Sequence, residues 1–242
     1  MLKIVDIHCH MMPGVDDGSA NMAMTGRMLQ TASNEGIDSI ILTPHYKPGH
    51  RHVTPGEIGE FADTLTHISD LRGWDMRFYP GNEIMYHNDC VAKVESGRIC
   101  TLANTDYVLV EFEPWSEFDR IYNGLREFMY AGYRPVLAHI ERYSCIIDKP
   151  GRAEEIHNMG CFIQVNASAV MGEEGRVVRV FTNRILGERF ADFVATDSHS
   201  DTTRAPHIKK CADYVERKYG ADYAARIFEG NASKLIEGDE IR

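Results

Sequence analysis

Histidine and carboxylate side chains recur in this chain at the ends of short apolar runs. His8 and His10 close the first run, in Asp6-Ile7-His8-Cys9-His10. His45 ends the second, in Thr43-Pro44-His45, and Glu83 follows the third, in Gly81-Asn82-Glu83. Glu111 lies at the end of the fourth, and His139 ends the fifth, in Leu137-Ala138-His139. Asp197 and His199 end the seventh, in Thr196-Asp197-Ser198-His199. Residues two apart on a strand point to the same side, so His8 and His10 can grip one ion while Cys9 points away. Mixed imidazole and carboxylate ligands suit Zn, Mn or Fe, and a carboxylate such as Glu83 can bridge two ions. Gathered in one place, these side chains would repel or go unsatisfied without cations. Each residue alone has a bland reading, and a lone His at a strand end is more often a structural histidine than a ligand. The set as a whole requires that bland reading to be repeated at run after run.

The runs themselves are residues 3–7, 39–43, 77–80, 107–112, 135–139, 162–166 and 193–196. They are short and rich in Ile, Val, Leu, Phe and Tyr, the pattern of strands buried on both faces of a parallel sheet. Amphipathic stretches separate them. One helix is expected after Ser19, taken as its N-cap, up to about Gly36; others over 55–71, over 117–131 before Gly132, and over 173–186 before Gly187. The last part of the chain reads as helical, with 210–219 and 223–228 the clearest segments. Strand–helix alternation predicts an α/β fold with parallel strands and crossover helices. Seven such strands fit a closed or nearly closed barrel, whose active site lies at the C-terminal ends of the strands.

The 242 residues suit one α/β barrel, so residues 1–242 are read as a single domain. A formal net charge of -10 without a basic stripe argues against a nucleic-acid partner. No apolar stretch is long enough to span a bilayer, and the N-terminus lacks the pattern of a signal peptide, so a cytoplasmic location is expected. The cysteines, Cys9, Cys90, Cys100, Cys145, Cys161 and Cys211, form no Cys-x-x-Cys pair and read as reduced thiols. His50, His52, His67, His87, His157 and His207 fall on helical or loop patterns and read as surface or structural, with His50 and His52 on a loop at the expected mouth.

With these residues in hand, the chain resembles the polymerase-and-histidinol-phosphatase (PHP) superfamily, and within it the bacterial capsule-type protein-tyrosine phosphatases of the CpsB/CapC/YwqE group. The resemblance covers nearly the whole chain. It rests on Asp6-Ile7-His8-Cys9-His10, Pro13-Gly14-Val15-Asp16-Asp17-Gly18, Thr43-Pro44-His45-Tyr46, Gly81-Asn82-Glu83-Ile84, His139-Ile140-Glu141-Arg142-Tyr143 and Ala195-Thr196-Asp197-Ser198-His199. It implies a distorted seven-stranded (β/α) barrel of the PHP type holding three divalent ions, often Mn, with Fe or Zn as alternatives. By that analogy one ion takes His8, His10, Glu83 and Asp197, a second takes Glu83, Glu111 and His139, and a third takes Asp17, His45 and His199. Asp16 is then a supporting neighbour. The resemblance also assigns the substrate phosphate to Arg142 and Arg204, which is physically apt because guanidinium groups bind phosphate oxygens bidentately. His45 and His199 are the candidates for a leaving-group acid.

The activity so implied is metal-dependent hydrolysis of phosphotyrosine on a protein, a bacterial tyrosine autokinase controlling capsule or exopolysaccharide synthesis. Two other readings stand beside it: a small-molecule phosphatase such as one acting on histidinol phosphate, and a catalytically idle, metal-loaded regulatory module. Self-association is left open. Cys211 and Arg217 have the Cys-x5-Arg spacing of cysteine-based tyrosine phosphatases, but the intervening residues include two acids and no glycine, and the segment reads as a helix. Helical amides cannot cradle a phosphate, so the spacing is a coincidence.

Overall fold

The computed structural model describes residues 2–49 and 52–241; His50 lies outside the described residues. Nine strands are found among the described residues: β1 Ile4–Cys9, β2 Ile37–Leu42, β3 His45–Tyr46, β4 Arg77–Pro80, β5 Glu83–Met85, β6 Tyr107–Glu111, β7 Arg134–Leu137, β8 Phe162–Asn166 and β9 Phe193–Ala195. They form a three-stranded sheet, β1-β2-β4, and a six-stranded sheet, β3-β5-β6-β7-β8-β9. Every ladder is parallel, as the alternation with helices requires. A parallel bridge between Cys9 and Ser198 brings the first strand back to the last. There the Asp197 N–H donates to the His8 carbonyl and the His10 N–H to the Ser198 carbonyl, both at 2.9 Å, so the sheets curl round on themselves.

The expected apolar runs all carry strands. Two further strands, β3 and β5, follow the second and third runs after short breaks, so the ladders count nine strands in two sheets where seven were expected. Pro44 has no N–H to give to a ladder. At Gly81 an added Cβ would lie 2.9 Å from Ile41 Cγ2, so only glycine lets the chain pass.

The helices are α1 Met22–Glu35, α2 Pro55–Arg72, α3 Cys90–Glu95, α4 Phe118–Tyr130, α5 Ser144–Ile147, α6 Gly151–Asn158, α7 Ala167–Met171, α8 Arg176–Gly187, α9 Lys209–Tyr219, α10 Ala221–Ala225 and α11 Asn231–Glu237. Helix α1 is capped by Asn21, whose side chain accepts from the Met24 N–H, and not by Ser19. Ser19 is instead buried, with its hydroxyl on Thr25. A capping box between Thr54 and Glu57, with Pro55 opening the helix, starts α2. Helix α8 begins at Arg176 and not at 173, because Gly175 has φ 101° and ends the preceding turn. The segment expected over 223–228 is split into α10 and a wide π-helical turn over Arg226–Gly230. Cys211 is buried within α9, as the helical reading of that segment requires.

Alternation along the strands sorts residues between two apolar clusters. Val108 and Val110 of β6, Leu137 of β7 and Ile163 and Val165 of β8 belong to the larger cluster, packed with the helices. Tyr107 and Leu109, Val136, Phe162, and Phe193 with Ala195 belong to a second, smaller cluster. On that second face the next residue toward the C-terminal end is polar: Glu111 after Leu109, Gln164 and Asn166 after Phe162, and Asp197 after Ala195. An apolar floor thus carries a polar layer at the strand ends, where parallel-stranded barrels place their chemistry.

Candidate metal centre

The elements deliver the ligand-type side chains to one place. In β1 the ladder to β2 is irregular between Asp6 and Cys9. Val5 and Ile7 sit in the smaller cluster, but Cys9 sits in the larger one. The irregularity therefore reverses the alternation and turns His8 and His10 inward. By alternation His139 would share the helix-facing side of Leu137. Its left-handed backbone, φ 31°, breaks that pattern, and its Nε2 lies 2.7 Å from Glu83 Oε1. Asp197 is likewise left-handed, at φ 50°. Such conformations are costly for non-glycine residues and cluster at functional sites.

Three sets of donor atoms lie within 4.8 Å of one another: His8, His10, Glu83 and Asp197; His45, Glu83 and Glu111; and His10, Asp17, His45 and His199. In the first set, His8 Nε2 is 3.2 Å from Glu83 Oε2 and 3.4 Å from Asp197 Oδ1. His10 Nε2 is 3.2 Å from the same Glu83 oxygen. In the second, His45 Nδ1 is 3.0 Å from both Glu83 Oε2 and Glu111 Oε1. In the third, Asp17 Oδ1 is 3.3 Å from His45 Nε2 and 3.5 Å from His199 Nε2. All nine ligand-type residues expected from the sequence are thus brought together. The groupings differ from expectation in two details. His45 joins Glu83 and Glu111, where His139 was expected, although His139 Nε2 is also 3.6 Å from Glu111 Oε2. His10 joins Asp17, His45 and His199.

The donor set fits cations. Glu83 Oε2, Glu111 Oε1, Asp197 Oδ1 and His45 Nδ1 are buried and make no hydrogen bond among the described residues. Buried groups of this kind need a partner, and close but misaligned imidazole and carboxylate atoms facing a common point are matched by a metal ion.

Two guanidinium groups border the first set. Arg142 Nη2 lies 2.5 Å and Arg204 Nη2 2.8 Å from Asp197 Oδ2, so this one carboxylate faces the histidines with one oxygen and the arginines with the other. A cavity of about 290 Å³ opens beside them, lined by Arg142, Arg204, Asn166, Thr196 and Asp197, with Glu173 and Glu174 also on its wall.

The electrostatics follow from the crowding. Burial pulls the His10 ring down, but hydrogen bonds to Asp16 and Glu83 outweigh it and lift the ring to about 9. Burial and the Arg142 charge likewise oppose protonation of His139, and hydrogen bonds to Glu111 and Glu83 raise it to about 9. His45 is raised far above its ordinary value, against burial, by Glu83 and Asp17. Hydrogen bonds from His199 and His45 hold Asp17 well below the usual carboxylate range. Burial and the charge of His10 lower His199.

Several supporting residues were not singled out from the sequence. Asp16, expected only as a neighbour, accepts from His10 Nδ1 at 2.9 Å and from the His45 N–H at 3.0 Å. Burial pushes its carboxyl up, but the His10 hydrogen bond holds it at about 2. Asp6 accepts from the Thr196 N–H at 2.9 Å and ties β1 to the end of β9. Gln164 and Asn166 of β8 contact His8 and Asp197. The available signal was that 162–166 is the one run ending in amides and not in His, Asp or Glu. His52, His67, His87, His157 and His207 stand in none of the three donor sets.

A sequence model of the capsular polysaccharide synthesis family CpsB/CapC matches residues 4–237. The chain belongs to the CpsB/CapC family. Among its relatives, the tyrosine-protein phosphatase CpsB of Streptococcus pneumoniae is 30% identical over 238 residues, covering 96% of this chain and 98% of the relative. The tyrosine-protein phosphatase YwqE of Bacillus subtilis is 28% identical over 242 residues, covering 98% and 93%. Among solved structures, those of YwqE and CpsB, described as unique metal-dependent tyrosine phosphatases, match with a TM-score of 0.91 and 28% identity, covering 99% of this chain and 96% of the other. The histidinol phosphate phosphatase of Lactococcus lactis shares the fold at a TM-score of 0.59 and 15% identity. Among the described residues no helix is long and apolar enough to cross a membrane.

Proposed function

We propose that this CpsB/CapC-family chain is a metal-dependent protein-tyrosine phosphatase. The observation that carries the reading is Asp197, shared between the ligand-type histidines and the two arginines at the mouth of the cavity. Metal-dependent phosphoester hydrolysis needs cations and a phosphate clamp side by side, and this carboxylate joins the two groups of residues that would supply them.

The three donor sets offer places for three divalent ions, for which Mn fits the mixed imidazole and carboxylate donors. Bound there, such ions supply charge neutralisation and an acidified water. The remaining work falls to the chain's own groups. Arg142 and Arg204 each spend one Nη2 on Asp197 and keep further N–H donors for the phosphoryl oxygens. Held in place before the substrate arrives, they stabilise charge as it develops. The His199 Nδ1–H donates to the Asp197 carbonyl at 2.9 Å, leaving Nε2 as a lone pair. Both nitrogens of His45 face carboxylates. These two rings therefore hold ions and do not protonate the leaving group. A phenolate leaves readily without that help.

The same reading takes β2 with β3, and β4 with β5, each as one interrupted stave, which gives the seven-stave PHP barrel over residues 1–242. Capsule-synthesis family membership supports a phosphotyrosine protein as substrate, with a tyrosine autokinase of exopolysaccharide assembly as the partner and the cytoplasm as the location. The test is phosphate release from a phosphotyrosine peptide, with and without Mn²⁺, beside His139→Ala. Mn²⁺-dependent release that the substitution removes is expected. Release from histidinol phosphate alone, or full activity in excess chelator, would sink the reading.

A further inference from the structure

Gln164 and Asn166 form a hydrogen-bond chain behind the metal-ligand residues, and its direction can be worked out from one fixed donor. The His139 backbone N–H can only donate, and it lies 2.7 Å from one side-chain atom of Gln164, which must therefore be the carbonyl Oε1. His8 Nδ1 lies 3.2 Å from that same oxygen and so must carry the proton. In the neutral ring that leaves the lone pair on His8 Nε2, the atom facing Glu83 and Asp197. With Oε1 assigned, Gln164 Nε2 donates to Asn166 Oδ1 at 2.8 Å. Asn166 Nδ2 must then donate to Asp197 Oδ2 at 3.0 Å, the oxygen that also receives Arg142 and Arg204. The Asn166 backbone N–H is itself pinned by Glu141 Oε1 at 2.8 Å. Both amides are buried, so water cannot replace either arm.

We propose that Gln164 and Asn166 are positioning residues that fix the tautomer of His8 for metal binding and, through the same chain, hold Asp197 in the pose that presents Arg142 and Arg204 to phosphate. One end of the chain acts on the cation and the other on the phosphate clamp. A histidine ligand commonly gives its second N–H to a supporting acceptor, and loss of that acceptor lowers metal affinity. Here the acceptor is a neutral amide whose other end carries the same order on to the arginines.

This inference rests on the reading of the donor cluster as a metal centre, and its test separates the two. Calorimetric titration of metal-free protein with Mn²⁺ reads the cation arm, and competitive inhibition by inorganic phosphate reads the anion arm. In Gln164→Leu both arms go: Mn²⁺ affinity falls by about 10- to 100-fold, and the inhibition constant for phosphate rises. Gln164→Glu keeps an acceptor for His8 and for the His139 N–H but has no donor for Asn166. The Asn166 amide must then turn and set an acceptor against Asp197 Oδ2. Mn²⁺ affinity is retained in that variant, while the phosphate inhibition constant rises about tenfold, the loss of one charge-assisted hydrogen bond. Asn166→Ala shows the same split, which keeps the test intact should Gln164→Leu fail to fold. Unchanged protein that takes up no Mn²⁺ would end the metal reading itself. Unchanged protein that binds Mn²⁺, with Gln164→Glu and Asn166→Ala losing cation and phosphate binding in equal measure, would overturn only this inference.

Discussion

His8, His10, Glu83 and Asp197 stand at strand ends and are buried, whereas Asp17 projects from the loop before α1 with 68% of its side chain exposed. Three of the inner four are held from behind: Gln164 on His8, Asp16 on His10, Asn166 and two arginines on Asp197. The outer set of Asp17, His45 and His199 shares His10 with it and otherwise faces the mouth. Rigid, desolvated donors bind an ion tightly and resist exchange, while an exposed carboxylate pays less to be released and is free to adjust to a substrate. On the proposed metal reading, the inner half would hold a cation tightly and the outer half would respond to substrate.

The largest effect is expected at Glu83, the one carboxylate common to two of the donor sets. In Glu83→Ala both lose a carboxylate, and activity should fall by on the order of 10³-fold or more, several kcal/mol of lost charge stabilisation. Metal analysis after dialysis should show ions lost from the inner half. A variant that keeps near-normal turnover would remove the distinction between the halves.

Asp17→Asn should act on the outer half alone. Among the described residues its carboxylate pairs with His45 and His199, so metal affinity at the outer set should drop by roughly 100-fold while inner binding stays. Inductively coupled plasma analysis of the dialysed variant should show fewer ions per chain, with activity restored by added Mn²⁺. Loss of every ion together would mean that the halves are one cooperative unit.

The inner half was the more legible in the sequence, and for a physical reason. Its candidate ligands His8, His10 and Asp197 end apolar runs and Glu83 follows one, so position and residue type together mark all four, whereas in the outer set this holds for His45 and His199 but not for Asp17. Asp17 sits on a loop with Asp16 beside it, and only the resemblance to a family distinguished the two. Strands β3 and β5 are two and three residues long, too short for any period to show. Gln164 and Asn166 are amides at the end of a strand, a type with no charge to attract notice, although alternation places them on the same inward face as the ligands. The left-handed turns at His139 and Asp197 leave no compositional trace, because glycine, the usual marker of positive φ, is absent from both.

A smaller effect concerns protons. In the metal-free protein the His10 and His139 rings sit at about 9, above the ordinary 6.5, so their bonds to Asp16 and Glu83 stabilise the fold fully below pH 6.5 and lose that contribution as the pH rises through about 9. Metal binding has the opposite slope, because His10, His139 and the strongly raised His45 must each shed a proton to coordinate. Mn²⁺ titrations near neutral pH in two buffers of different ionisation heat should report release of about three protons, with affinity rising as pH rises. Zero release would mean that the rings are already neutral and that the crowding of charge is relieved in another way.

The smallest effect should come from Gly18, at the joint between the halves. A Cβ there would fall 2.3 Å from the His10 carbonyl oxygen and 2.5 Å from the His10 Cβ, distances that no side-chain carbon tolerates. The Gly18 N–H also donates to Asp16 Oδ1 at 2.9 Å, so the Asp16–Asp17 loop is seated on β1 through this residue. In Gly18→Ala the loop must lift from His10, at a cost of about 1–3 kcal/mol. For a chain of this size that lowers Tm by roughly 2–12 °C. Because the displaced loop carries Asp17 and the carboxylate behind His10, the outer ion should weaken more than the inner ones, a milder form of the Asp17→Asn result. Equal weakening of both halves would place the rigidity of the inner set in the loop and not in the strand ends.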